Sequence, residues 1–196
     1  MGDLYIHDLQ PFIDEFKLKN FVETGTGIGT GLKYAMKFPF ENLYSIEIML
    51  ELFDRVSLDI TDPRVKLICA NSRGGLMDIL ENIKTGPTLF WLDAHFPGAD
   101  FQLGSYEDEH PESIKTPLVG EVLMLKDFRD CSKDVFILDD LGLYEDGPFQ
   151  KQYHRLEHFR KKLKLDNSPI YREMTGTHEI NKDYRHQGFL ILTPKR

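Results

Sequence analysis

The stretch FVETGTGIGTG, residues 21–31, decides how this chain is read. It is a short apolar run, one carboxylate, and then glycine at positions 25, 27, 29 and 31. Without a Cβ a residue takes positive φ at little cost and leaves its N–H group bare, so a glycine-rich turn after a buried strand brings backbone close to a ligand. In an open α/β sheet that turn lies where ligands bind, outside the carboxyl ends of the strands.

Outward from this turn, apolar runs and helical patterns alternate along the chain. The runs predict strands at Phe21–Glu23, Leu43–Glu47, Val65–Cys69, Thr88–Asp93, Val135–Asp139, Ile170–Met174 and Phe189–Leu192. Helical spacing fills the gaps at Leu9–Lys17, Thr30–Phe38, Met49–Leu58, Gly74–Ile83, Leu118–Arg129 and Lys151–Leu163. Continuous apolar strands such as TLFWLD suit a sheet covered on both faces. Only TGTHEINKDYRHQG separates the last two runs, too short and polar for a crossover helix, so they are expected to form an antiparallel hairpin. The fold class is therefore α/β, a three-layer Rossmann-like seven-stranded sheet, mostly parallel, with an antiparallel C-terminal strand.

A chain of 196 residues is expected to form one domain over residues 1–196 and to bury roughly 70% of its unfolded surface. Its net charge of −8, with acids gathered in SYEDEHPES and bases in RLEHFRKKLKL, argues against a nucleic-acid surface. The basic stretch carries Leu156, Phe159 and Leu163 near helical spacing and reads as the wet face of an amphipathic helix. The acidic start and the lack of any apolar run near ~18 residues give no membrane partner, and Cys69 and Cys131 show no CxxC pairing. The expectation is a soluble, cytoplasmic, reduced protein. Residues 96–117, after the fourth strand, form a long irregular piece read as a functional lid.

Polar groups cluster where the strands end: Glu23, Thr24 and Gly25 at the first, Glu47 at the second, Asn71 and Ser72 at the third, Asp93 and His95 at the fourth, and Asp139 and Asp140 at the fifth. A dinucleotide fingerprint would need a glycine where Thr30 stands, and Glu23 would repel a pyrophosphate. A ligand ammonium would instead pair with Glu23. Glu47 suits the two hydroxyls of a ribose, and Asn71 and Ser72 an adenine edge. The bland alternative is that Gly25, Gly27 and Gly29 serve only a tight turn. Ser72 also reads as the N-cap of the following helix, and Trp91 as core packing.

These residues resemble the class I S-adenosylmethionine-dependent methyltransferases, whose first motif looks like VETGTGIGTG and whose second strand ends in an acid like YSIEI. The resemblance covers nearly the whole chain. It implies that S-adenosylmethionine is the cofactor, held by Glu23, Thr24, Gly25, Gly27, Gly29, Thr30, Glu47, Asn71, Ser72 and Asp93. Many members carry Asp where this chain has Asn71. LFWLDAHFPG with VFILDDLG looks like a group of small bacterial methyltransferase-like proteins, and is similar to the macrocin-type sugar O-methyltransferases, in which such acids hold a divalent metal.

Asp93, Asp139 and Asp140 are hard oxygen donors suited to Mg²⁺ or another divalent cation, which would lower the pKa of an acceptor hydroxyl. His95, two residues beyond Asp93, would be the general base beside it. The expected reaction is metal-assisted O-methylation of a small acceptor such as a sugar or glycosylated metabolite, in a chain that could form a homodimer. An NAD(P)-dependent oxidoreductase and a non-catalytic cofactor-binding protein are the alternatives.

Overall fold

A computed structural model describes residues 3–84, 86–149 and 154–196. After a 3-10 turn at Leu4–Ile6 come α1 (Gln10–Phe16), β1 (Asn20–Thr24), α2 (Thr30–Ala35), β2 (Asn42–Glu47), α3 (Leu50–Asp59), β3 (Val65–Cys69), α4 (Ser72–Ile79) and β4 (Thr88–Leu92). A second 3-10 turn at Ala99–Phe101 and α5 (Glu112–Lys115) lead into α6 (Leu118–Phe128), β5 (Val135–Leu138) and α7 (Leu141–Tyr144). The chain finishes with α8 (His154–Leu163), α9 (Ser168–Met174), β6 (His178–Asp183) and β7 (Phe189–Pro194).

The seven strands pair in the order β3-β2-β1-β4-β5-β7-β6. β1 to β5 run parallel, and β7 is antiparallel to both of its neighbours. Strand order reverses between β1 and β4, so their carboxyl ends open the crevice in which ligands of such sheets bind. β1, β4 and β5 are buried along their whole length, because apolar cores cover both faces. On one side Val22, Phe90, Phe136 and Leu138 pack with α4 and α6; on the other Phe21, Leu89, Trp91 and Ile137 pack with α1 and α2.

One predicted strand is a helix. Ile170–Met174 lies in α9, where Ile170 and Met174, four residues apart, are both fully buried. Asp166 accepts the backbone N–H and the hydroxyl of Ser168, and Pro169 occupies the first turn, so local start signals outweigh the strand-like pair Ile170-Tyr171. The hairpin is formed instead by β6, drawn from the stretch expected to be linker, with Ile180 opposite Leu192. Cys69 is exposed on the edge strand β3, whereas Cys131 is buried. Residues 151–153 of the predicted Lys151–Leu163 helix lie outside the described residues.

A buried ion pair joins α6 to the sheet. Arg129 Nε and Nη2 donate to Asp134 at 2.9 Å each, and Asp134 Oδ1 also accepts the Thr88 N–H at 2.9 Å, which ties the starts of β4 and β5 together. Removing one partner leaves an uncompensated buried charge. Arg129→Met should therefore lower the unfolding free energy by about 3–5 kcal/mol in urea denaturation, and Arg129→Met combined with Asp134→Asn should recover part of the loss.

Candidate active site

The glycine turn is held by the tip of β2. Gly25 N–H donates to Ile46 O at 2.9 Å, Gly27 N–H to Glu47 Oε2 at 2.8 Å, and Met49 N–H to Glu47 Oε1 at 2.8 Å. Gly25 has φ of +82°, and a Cβ there would stand 2.9 Å from Asp93 O, so only glycine fits between β1 and β4. Glu47 lines the cavity above the sheet. Burial raises its pKa, against the backbone N–H groups that lower it.

Glu23 projects on the α2 side of the same crevice and is almost fully buried. Thr26 donates to Ser45, and Ser45 in turn donates to Glu23 Oε2. A Cβ on Gly31 would stand 2.2 Å from Glu23 Oε1, so the fourth glycine makes room for this carboxyl. Burial, aided by Asp93 and Glu47, pushes the Glu23 pKa up to about 8. An arriving ammonium group would meet a carboxyl that ionises readily on pairing.

Asn71 and Ser72 line the cavity at the exit of β3, but their expected roles shift. The N-cap of α4 is Asn71, not Ser72: Asn71 Oδ1 accepts the Gly74 N–H at 2.9 Å. Its amide NH₂ remains for a ligand, whereas its oxygen is engaged. Of the other predicted cofactor contacts, Gly25, Gly27, Thr30 and Asp93 line the cavity. Thr24 and Gly29 do not: Thr24 is buried on the α6 side, and Gly29 caps α2 against Val56.

The ends of β4 and β5 bring Asp93, His95 and Asp140 together, with one donor atom of each within 4.8 Å of the others. His95 Nδ1 donates to Asp93 O at 2.8 Å and lies 3.0 Å from Asp140 Oδ2. Asp139 is not in this set; its Oδ1 accepts the Asp140 N–H at 2.7 Å. Asp140 stands in the left-handed region at φ +56°, which turns its carboxyl toward His95 rather than along the strand. Burial pushes the His95 pKa down, but Asp140, Asp100 and Asp93 together outweigh it and hold the imidazole well above 6.5. These carboxylates favour the protonated form of His95, whereas the general-base role expected of it calls for the neutral one. Burial, then Asp93 and Asp140, drives Asp139 well up; burial raises Asp140 as well, against the pull of His95. One oxygen of Asp93 and one of Asp140 are buried with no hydrogen-bond partner.

The cleft takes in about 840 Å³ of space, counting the solvent at its mouth. Residues 96–117 lie across it: Phe96, Pro97, Asp100, Phe101 and Ile114 are in its wall. The Phe101 ring touches the glycine turn, since a Cβ on Gly27 would stand 2.6 Å from it. Asp100 faces His95 Nε2 at 3.7 Å and accepts a hydrogen bond from Tyr106. His95 lowers the Asp100 pKa, and Tyr106 stacks on Phe159 of α8, so this segment is fastened at Asp100 and at Tyr106. Trp91, expected to be core, packs on Phe189 and also reaches the cavity wall. Asp100 and Phe101 carried no periodic signal. Glu121 did: it shares a helical face with Leu118, Val122 and Leu125, and it is fully buried.

No family model matches the chain, and no curated protein matches it. Solved structures do. An SAH-bound methyltransferase of Podospora anserina is similar at 14% identity over 94% of this chain and 75% of that one, with a TM-score of 0.57. An O-methyltransferase of Bacillus cereus in complex with SAH is similar at 13% identity over 95% and 79%, with a TM-score of 0.57. Spermidine synthase of Thermotoga maritima is similar at 14% identity over 95% of this chain and 57% of that one, with a TM-score of 0.54. This likeness is one of fold: the chain has the Rossmann-like sheet of these transferases. No helix among the described residues is long and apolar enough to cross a membrane.

The raised Glu23 pKa has a sign that can be measured. The folded state binds this proton more tightly than the unfolded state, so stability falls as pH rises from about 4.5 toward about 8 and is flat on either side. Glu23→Gln removes that dependence. Its melting temperature relative to the parent should rise between pH 4.5 and pH 8.5, by an amount equivalent to on the order of 2–5 kcal/mol. A constant offset across that range would contradict the placement of this carboxyl.

Proposed function

We propose that this chain is an S-adenosylmethionine-dependent methyltransferase that methylates a hydroxyl oxygen on a small polar acceptor, assisted by a divalent cation. The observation that carries this reading is the convergence on one cavity of the glycine turn, Glu47 at the tip of β2, Asn71 and Ser72 at the exit of β3, and Asp93 and His95 after β4, with Asp140 grouped beside them. Each group faces a different part of an adenosyl-amino-acid ligand. Glu47 accepts ribose hydroxyls, the turn from Gly25 to Thr30 passes along the amino-acid part, and Glu23 lies in reach of its ammonium. The sulfonium, when bound, supplies an electrophilic methyl group; the protein's part is to align an oxygen with it and take up a proton.

The cation has a fitting place. Asp93, His95 and Asp140 offer two oxygens and a nitrogen close together, and two carboxylate oxygens lack partners. A nitrogen donor suits Mn²⁺ and its neighbours at least as well as Mg²⁺. When bound there, a divalent ion would acidify the acceptor hydroxyl. The second carboxylate oxygen of Asp93 or Asp140 would take up that proton, while His95 would give up its own proton and hold the ion as a neutral imidazole. The acids of the covering segment, Asp100, Glu107, Asp108 and Glu109, disfavour anionic acceptors, which favours a neutral sugar or glycosylated metabolite.

An oxidoreductase reading fits less well. Dinucleotide folds of the common doubly wound type extend the parallel order with a parallel sixth strand, whereas here β7 is antiparallel, and Thr30 stands where a third glycine would be.

Calorimetric titration tests the reading. S-adenosylhomocysteine should bind and NADH should not, and Glu47→Gln should weaken the former by about ten- to a hundredfold, the loss of a charged hydrogen-bond acceptor. Absence of heat with S-adenosylhomocysteine, with or without Mn²⁺, would sink it. The metal assignment is separable: Asp140→Asn should weaken Mn²⁺ binding by about tenfold or more, whereas Asp139→Asn, which still accepts the Asp140 N–H, should change it by less than about threefold. Equal losses in both variants would restore the three-carboxylate set.

A further inference from the structure

Glu121 is fully buried on α6, and neither of its oxygens has a hydrogen-bond partner. Such a carboxyl costs stability, and a leucine would fit the apolar face of Leu118, Val122 and Leu125 without that cost. Its surroundings point to a use. The first turns of α4 and α6 are packed together, with a Cβ on Gly120 standing 3.5 Å from the Arg73 side chain. The hydroxyls of Ser72, at the start of α4, and of Thr24, at the end of β1, are near enough to lower the Glu121 pKa, although neither closes a hydrogen bond to it. Ser72 lines the cavity and Glu121 does not, so the serine stands as the contact between them.

We infer that Glu121 is a specificity-determining residue: by accepting the Ser72 hydroxyl hydrogen it turns the serine oxygen into an obligate acceptor for the exocyclic amino group of a purine. This rests on the reading of the cavity as an adenosyl site. A carboxylate accepts hydrogen bonds and cannot donate them, so a serine paired with it must donate in that direction and present lone pairs elsewhere. The neighbouring amide is held in place, because Asn71 Oδ1 accepts the Gly74 N–H, and its NH₂ has no hydrogen-bond partner among the described residues. Ser72 with Glu121 behind it then supplies an acceptor fixed by its partner, and the NH₂ of Asn71 supplies a donor for a ring nitrogen. A purine with a keto oxygen in place of the amino group would set oxygen against oxygen.

The experiment compares binding of S-adenosylhomocysteine with its deaminated analogue S-inosylhomocysteine at pH 8.5, where Glu121, whose pKa burial raises to about 7, is ionised. The parent chain should prefer the amino ligand by about tenfold or more, because an unpaired buried polar group is the penalty for the wrong base. In Glu121→Gln the amide can donate to Ser72, which frees the serine hydroxyl to donate into the cavity, and the preference should fall below about threefold. Ser72→Ala should lose it likewise, and serves as the test should Glu121→Gln not fold. Equal binding of both ligands by the parent chain, or an unchanged preference in either variant, would overturn the inference while leaving the adenosyl reading intact. Binding of neither ligand by the parent chain would remove both.

Discussion

The carboxylate of Glu47 is the point on which the site depends. It ends β2 and takes the N–H groups of Gly27 and Met49, one on each oxygen, so the glycine turn after β1 and the chain leaving β2 are fixed to one side chain. Parallel pairing of β1 with β2 and β4 sets the strand ends level, and this carboxylate converts that alignment into a rigid rim. The absence of side chains at Gly25 and Gly31 then lets β4 and the Glu23 carboxyl close in from either side. Preorganisation of this kind is what positions a ligand without further movement of the protein.

Across the crevice the chain gathers acids whose hydrogen-bonding capacity is only partly used. Asp93, Asp139, Asp140 and Glu121 lie near one another, with His95 facing Asp93, Asp140 and Asp100. Desolvation raises the pKa of Asp139, Asp140 and Glu121, and orphaned oxygens on Asp93, Asp140 and Glu121 show hydrogen-bonding capacity left unmet. Buried polar groups without partners are rare in folded proteins and concentrate where a ligand or ion completes them. The covering segment joins this cluster through Asp100, so whatever binds at the triad acts on the same residues that hold Phe101 against the glycine turn.

Much of this was legible in the sequence because it depends on local pattern. The apolar runs ending in Glu23, Glu47 and Asp93 marked both the strands and the rim, since a parallel strand buried on both faces admits a polar residue only at its end. The hairpin was foreseen, but its first strand was misplaced, because β6 is an edge strand with a weak apolar pattern while α9 carries a strand-like Ile-Tyr pair. The candidate metal cluster differs from the expected three carboxylates for a different reason. Spacing alone gives Asp139 and Asp140 equal standing, and only the left-handed backbone at Asp140 turns one carboxyl to His95 and leaves the other on a backbone N–H. Phe101 and Asp100 reach the site through the path of a long loop, which no periodicity encodes, whereas Glu121 could have been found as a lone acid on an apolar helix face.

Hydrogen–deuterium exchange with and without S-adenosylhomocysteine tests the central claim most directly, because it reports where on the chain the ligand acts. The account predicts slowed exchange at the backbone of residues 25–31, 47–49, 71–72 and 93–101, with no change across the β6–β7 hairpin or α1. Protection confined to those distant elements, or none at saturating ligand, would contradict the claim that the glycine turn and the Glu47 rim form the binding site.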